Sequence, residues 1–186
     1  MEEVYLKIWK LAKPYYKKGR PMDIKHISWM MKETENICNT EKLDETILMP
    51  LVILHDVGYG ISDKVYFDKN KKEAHMGAGS KLAKKILEEL NYPIEKIKTI
   101  CRLIKIHDYW IYKKYTLYKR NKILWTFNDL DFIWLVHPEG FKEVRKILGK
   151  SKEDMIKYVK KDIRHKKLGF SCKYTKYLYE KYLSNL

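Results

Sequence analysis

The sequence predicts an all-α protein, and three observations carry that expectation. Apolar residues recur at the i, i+3, i+4 spacing of a helix face along most of the chain. No run shows strict two-residue alternation between turn signals. Only 8 glycines and 5 prolines punctuate 186 residues. A chain of this length can bury one full core, so residues 1–186 are read as a single helical bundle.

The elements follow in order. Residues 2–17 read as a first helix, ended by the breaker Gly19-Arg20-Pro21. Residues 22–38 form a second, with Asp23 as an early cap and a stop near Asn39-Thr40. Residues 43–56 form a third, in which Pro50 either kinks the helix or moves its start. A loop over 58–72 holds Gly58-Tyr59-Gly60 and a Lys-rich stretch. Residues 73–90 give a strongly amphipathic helix, stopped by Asn91-Tyr92-Pro93; Pro93 suits the first turn of the next, 94–107. Residues 109–120 are aromatic and basic, with no assigned structure. Residues 122–136 are helical and broken by His137-Pro138-Glu139-Gly140. Residues 141–148 and 152–185 supply the remaining helices and complete the bundle, with Gly149 and Gly169 as stops.

Composition excludes several classes. An apolar content of 45% is too high for a disordered tail. Cys38, Cys101 and Cys172 are too few and too scattered for a disulfide framework or a zinc ribbon. The longest apolar run, residues 47–54, is far short of a bilayer span, and the acidic start Met1-Glu2-Glu3-Val4 lacks a signal-peptide pattern. A cytoplasmic protein with no membrane partner is expected. The charge balance is 39 basic against 24 acidic residues, a net +15. Only Arg20, Arg102, Arg120, Arg145 and Arg164 are arginines; the other 34 are lysines. Hydrated lysine suits a solvated surface, whereas arginine is the residue of base edges and phosphate clamps. A Lys-rich surface bias of the thermophile kind is therefore the first reading of the charge, and attraction of anionic partners the second.

Histidines and aspartates fall on the apolar faces. His75 extends the stripe Ala78, Leu82, Ile86, Leu90 by one turn, and His107 extends Ile94, Ile97, Cys101, Ile104. His26 lies one turn from Met22, Trp29 and Met30. Asp131 has Phe127, Trp134 and Leu135 at helical spacing. His55 and Asp56 close the run Leu51-Val52-Ile53-Leu54. All are expected to point inward. Burying an uncompensated carboxylate costs several kcal/mol by order of magnitude, and a domain has only about 5–15 kcal/mol of net stability. One divalent cation shared among the set resolves that conflict.

The order His26, His55-Asp56, His75, His107 and a late Asp resembles the HD domain superfamily of metal-dependent phosphohydrolases. Leu54-His55-Asp56-Val57-Gly58 is similar to its LHDIG signature, and Ala74-His75-Met76-Gly77-Ala78 to its H…GA helix start. Asp129-Leu130-Asp131-Phe132-Ile133-Trp134 is similar to its late DADxLW segment. These motifs span residues 26–134. A second pair, His107-Asp108, would leave only 24 residues (131 minus 107) before Asp131, too few for the helices that usually separate the motifs. Motif register places the late ligand at Asp131, with Asp129 the less favoured choice.

The resemblance implies an HD-like helical bundle in which His26, His55, Asp56 and Asp131 bind one metal. It implies that His75 and His107 hold a second, with Asp56 bridging the two. The implied cofactors are one or two divalent transition metal ions (Mn, Fe, Co, Ni or Zn), which suit imidazole and carboxylate ligands. The implied reaction is hydrolysis of a phosphate ester, in a nucleotide or related phosphorylated metabolite, by attack of a metal-bound hydroxide, with His55 and Asp56 central to catalysis. Lys64, Lys69, Lys71 and Lys72, in the loop after that pair, are candidates to hold the phosphate of a small phosphorylated substrate; a solvated loop is their plainer reading.

Two alternatives stand beside this. Relatives with the same ligand order house two irons and activate dioxygen as oxygenases. The segment Tyr112, Lys113, Lys114, Tyr115, Tyr118, Lys119, Arg120 is also compatible with a nucleic-acid-binding module, a less favoured reading than a packed connector or a rim over the site. Val57-Gly58-Tyr59-Gly60 departs from the HDIGK of cyclic-di-GMP phosphodiesterases, which argues against that substrate. His137 and His165 match no part of the ligand pattern, and His137 before Pro138 reads as a helix-end residue. The Tyr- and Lys-rich last third also offers a surface for a homo-oligomer.

Overall fold

The computed structural model describes residues 1–62 and 69–186, the side chains of residues 69–72 excepted. Every regular element among the described residues is helical, so the all-α expectation holds. No described helix is long and apolar enough to cross a membrane. Contacts divide the chain into two compact units, Met1–Lys113 and Lys114–Leu186.

The first unit contains α1 (Glu3–Gly19), α2 (Asp23–Glu41), α3 (Glu45–Leu54), α4 (Lys69–Glu89) and α5 (Ile94–Ile104). Two 3-10 turns, Val57–Gly60 and Tyr109–Tyr112, follow α3 and α5. Helix α3 is the hub: every residue from Leu48 to Leu54 is buried, and it packs against α1, α2 and α5. Asp44 caps it through Thr46 N at 3.0 Å, so it starts two residues later than the periodicity suggests.

Pro50 lies inside α3 and does not move its start. A proline has no N–H to donate to the carbonyl four residues back, and here that carbonyl, Thr46 O, accepts the Tyr92 hydroxyl at 2.7 Å instead. A side chain from beyond α4 thus supplies the hydrogen bond that the helix lacks. Tyr16 makes a similar reach from α1, its hydroxyl donating to Ile53 O at 2.9 Å.

The turn after α3 lies between α1 and α4. Gly58 makes this approach possible: a Cβ there would sit 2.0 Å from His75 O and 2.7 Å from Gly79 N. The His-Asp pair at the end of α3 is thereby brought directly against α4. Helix α4 begins at Lys69, four residues ahead of the expected start, so Lys69, Lys71 and Lys72 lie within its backbone. Its pairing with α5 includes reciprocal bonds, Ser80 Oγ to Cys101 O at 3.0 Å and Cys101 Sγ to Ser80 O at 3.4 Å. On α5 the buried stripe starts at Ile97; Ile94, read as part of it, is 53% exposed.

The second unit contains α6 (Tyr115–Lys119), α7 (Lys122–Ile133), α8 (Pro138–Ile147), α9 (Lys152–Lys160), α10 (Ile163–Leu168) and α11 (Lys173–Ser184). Helix α7 packs against α6 and α11. Asn121 caps α7 through Leu124 N at 3.0 Å. Pro138 occupies the first turn of α8, so this proline starts a helix three residues earlier than expected, and His137 is its N-cap. The span 152–185 resolves into three helices, with Ser151 and Asp162 capping α9 and α10.

These contacts yield two stability predictions. Gly58→Ala should destabilise by about 1–3 kcal/mol through backbone overlap, whereas Gly77→Ala, whose Cβ meets nothing within 4 Å, should be neutral or stabilising. Urea unfolding of the two variants should therefore shift in opposite directions, or for Gly58→Ala alone. Tyr92→Phe should cost about 0.5–1.5 kcal/mol, the worth of one hydrogen bond, in the same measurement.

Candidate metal centre

Within the first unit, four predicted residues converge. His55 is the residue after α3, Asp56 follows it, His75 lies in α4, and His107 lies three residues beyond α5. All four are buried, His75 completely. His75 Nε2 and His107 Nε2 each lie 3.4 Å from Asp56 Oδ1, and 3.5 Å from each other. His55 Nε2 lies 3.5 Å from the other oxygen, Asp56 Oδ2. The two oxygens of one carboxylate therefore face two separate sets of imidazoles. His26, from α2, is also buried, its ring centroid 6.0 Å from that of His55 and nearly perpendicular to it.

The tautomers follow from the backbone. His55 Nδ1 donates to Val52 O at 2.9 Å, and His107 Nδ1 donates to Ile104 O at 2.8 Å. Both carbonyls belong to the last turn of a helix, where backbone acceptors lack an intrahelical partner. With Nδ1 carrying the hydrogen, each neutral ring presents a lone pair at Nε2. Those lone pairs face carboxylate oxygens, an arrangement that repels unless a proton or metal cation lies between them. The donor spacing suits a metal: ligands about 2.1 Å from a tetrahedral ion stand about 3.4 Å apart. Asp56, His75 and His107 can together hold a metal ion.

The protonation balance reflects the same crowding. Burial works against the charged form of Asp56, but the His55 charge, hydrogen bonds with His107 and His75, and Arg20 hold its carboxyl well below the usual range. Burial pushes His75 down, against the pull of Asp56. For His107, burial is outweighed by its hydrogen bond with Asp56 and the charges of Asp108 and Asp56, which push it up.

Several participants carried no motif signal. Arg20, part of a helix breaker in the sequence, donates from Nη1 to Asp56 Oδ2 at 3.1 Å and pairs through Nε with Asp23 Oδ2 at 3.0 Å. Asp23 is thus an ion-pair partner, and no side chain caps the start of α2. The Arg20 guanidinium lies 4.7 Å over the Tyr59 ring, which itself stacks on His75 at 4.1 Å and 11°. Asp108 places Oδ2 3.9 Å from both His75 Nε2 and His107 Nε2. The only available signal for Asp108 was its place after His107, as Asp56 follows His55.

Asp131 and Asp129 lie on α7 of the second unit. The expectation that every ligand points fully inward fails for Asp131, whose side chain is 23% exposed and accepts from Arg164 Nη1 at 3.0 Å. Arg164 also grips Asp162, Nε to Oδ1 at 3.1 Å and Nη2 to Oδ2 at 3.0 Å. Asp129 is the buried one; its Oδ2 accepts from Ser171 N at 2.7 Å and Thr175 Oγ1 at 2.8 Å. Burial raises its carboxyl to about 7, despite those hydrogen bonds. It ties α7 to the start of α11.

His137 stacks on Trp134 and His165 on Tyr179, at 4.8 and 5.0 Å between centroids. Tyr118, one of the aromatic-basic candidates, is fully buried. Lys64 lies outside the described residues; Lys69, Lys71 and Lys72 belong to the backbone of α4, and their side chains lie outside them too.

A model of the HD domain family matches residues 23–167. The chain belongs to the HD domain family. No curated protein and no solved structure matches it. The His-Asp pair closes the buried helix α3 beside further histidines that could hold a metal ion, as membership leads one to expect.

The buried bonds of Asp129 predict different responses to its two replacements. Asp129→Ala strips two buried donors of their acceptor and should cost about 1–3 kcal/mol, whereas Asp129→Asn keeps an acceptor oxygen and should retain most of the stability. Thermal unfolding of the pair checks this: equal losses in both variants would show that the carboxylate charge, not the hydrogen bonds, matters.

Proposed function

We propose that this HD domain hydrolyses a phosphate ester of a small phosphorylated substrate, such as a nucleotide, with His55 and Asp56 at the centre of the reaction. The observation that carries the reading is the division of Asp56, one oxygen toward His75 and His107 and the other toward His55. His26 and His55 are the proposed imidazole ligands of one divalent ion, and His75 and His107 those of a second, with Asp56 shared. The family's motif order adds Asp131 as the late ligand. The metal chosen is Mn, Fe, Co, Ni or Zn, since mixed imidazole and carboxylate donors suit these ions.

When bound, such ions supply positive charge to a phosphoryl oxygen and make a water molecule acidic near neutral pH. The residues of the chain prepare for this. The Val52 and Ile104 carbonyls hold His55 and His107 in the ligating tautomer, as outer partners of metal-binding histidines do. Tyr59 fixes the plane of His75 by stacking. Arg20, beside Asp56 and 21% exposed, is placed to meet an anionic group entering from solvent. Lys64, Lys69, Lys71 and Lys72 are proposed, from their place in the sequence, to draw the phosphate in.

His55→Ala and Asp56→Ala should each lower metal-dependent phosphate release at least ~100-fold, with helical circular dichroism retained. The assay is release of phosphate from a panel of nucleotides and aryl phosphates, run anaerobically with Mn, Co, Ni or Zn. Full activity in either variant, or in chelator-treated protein, would reject the proposal. Oxygen uptake by the iron-loaded protein with no phosphate release would move the assignment to oxidation.

A further inference from the structure

The first unit builds the same local device twice. A helix ends, and a histidine donates from Nδ1 to the carbonyl three residues back: His55 to Val52, His107 to Ile104. An aspartate follows with almost the same backbone, Asp56 at φ −106° and ψ 7°, Asp108 at φ −99° and ψ 10°. A 3-10 turn follows each, opened by a bond of 3.1 Å from the residue three further on, Tyr59 N to Asp56 O and Ile111 N to Asp108 O. The turns end alike in length, Val57–Gly60 and Tyr109–Tyr112. One copy carries the bridging carboxylate of the proposed centre. The other copy carries Asp108, to which the HD motif order gives no role.

The position of Asp108 matches that parallel. Its carboxylate is buried, and Oδ2 is equidistant, at 3.9 Å, from His75 Nε2 and His107 Nε2. Oδ1 is occupied by the Trp110 indole, which donates to it at 2.9 Å. The indole fixes the carboxylate with its second oxygen turned to the two imidazoles. Two donors each about 2.1 Å from one ion lie at most about 4.2 Å apart, when they are on opposite sides of it. Both 3.9 Å separations fall inside that limit, as do the 3.4 and 3.5 Å edges among Asp56, His75 and His107.

We infer that Asp108 is a fourth protein ligand of the second metal, giving it the set His75, His107, Asp56 and Asp108, with Trp110 as the residue that positions it. Two imidazoles and two carboxylates favour a divalent ion of mixed nitrogen and oxygen preference, and the second carboxylate offsets the charge that a shared Asp56 leaves unbalanced. The inference rests on the proposed two-metal reading. It adds a ligand beyond the motif order, and every protein ligand of the second metal then comes from the first unit.

The experiment counts cobalt. The purified full-length chain, stripped with chelator and titrated with Co²⁺ alone, is followed by elemental analysis and by the visible d–d absorption of the bound ion. The unaltered chain should bind two equivalents, and His75→Ala should lose one. Asp108→Asn, an isostere that keeps the Trp110 contact, should resemble His75→Ala: the second equivalent weakened at least ~10-fold and its absorption altered, the first unchanged. Trp110→Phe should weaken the same equivalent less. Two equivalents of unchanged affinity and spectrum in Asp108→Asn would overturn the inference, leaving Asp108 as a turn residue. Binding of fewer than two equivalents by the unaltered chain would overturn it together with the two-metal reading. The outcomes separate from the phosphatase assay: loss of one cobalt without any phosphate release in the unaltered protein would sustain Asp108 as a ligand and remove hydrolysis.

Discussion

Lone pairs directed at one another around Asp56 are the constraint on which the rest of the first unit depends. Two backbone carbonyls set the hydrogen of His55 and His107 on Nδ1, and the opposite nitrogens then face carboxylate oxygens at 3.4 and 3.5 Å. Without a cation between them the arrangement is costly, because a buried carboxylate has lost its hydration and faces further acceptors. In the metal-free chain the conflict is relieved by protons and by Arg20, which is why Asp56 is held acidic and His107 basic. A divalent ion relieves it more completely, serving all the acceptors at once. The donors are therefore arranged so that a divalent cation could be held among them.

The packing of the unit is organised to keep that conflict in place. Helix α3 is buried along its length from Leu48 to Leu54 and delivers His55 and Asp56 at its end. The end cannot drift, because the turn after it lies against the α4 backbone at Gly58, where no side chain fits. Pro50 leaves a carbonyl unfilled within α3, and Tyr92 fills it. Helix α5 reaches α4 through the Ser80 and Cys101 pair and delivers His107. Each ligand-bearing end is thus fixed by contacts in the body of the helix, and a shift of one helix moves a donor out of the cluster.

Much of this was legible in the residue order. Helix faces, the stops at Gly19-Arg20-Pro21 and Asn91-Tyr92-Pro93, and the four buried histidines His26, His55, His75 and His107 all follow from periodicity and turn chemistry. What periodicity misses is what long-range contact decides. Pro50 reads locally as a boundary because its missing bond is supplied by Tyr92, 42 residues away (92 minus 50). Pro138 reads as a breaker because the pattern does not say whether a proline ends one helix or opens another. Arg20 sits in a breaker, and only the fold brings it to Asp56. The pair His107-Asp108 stands too close to Asp131 for the motif spacing, and spacing says nothing of where the Asp108 carboxylate lies in the fold.

The three carboxylates at issue differ in what answers their charge, and that difference separates roles better than burial does. Asp129 is buried on α7, its bonds come from a backbone N–H and a hydroxyl, and burial lifts it to about 7. Such a group is near neutrality and serves as a strut between two helices. Asp56 and Asp131, the two proposed as ligands, are each met by an arginine, at 3.1 and 3.0 Å. An arginine meets a carboxylate with a charged donor, whereas Asp129 is met only by neutral ones, and that sets the two kinds of site apart. Phe127, Trp134 and Leu135 stand at helical spacing from Asp131, yet it is Asp129, two residues earlier, that the fold buries, while Asp131 stays partly exposed in its pair with Arg164.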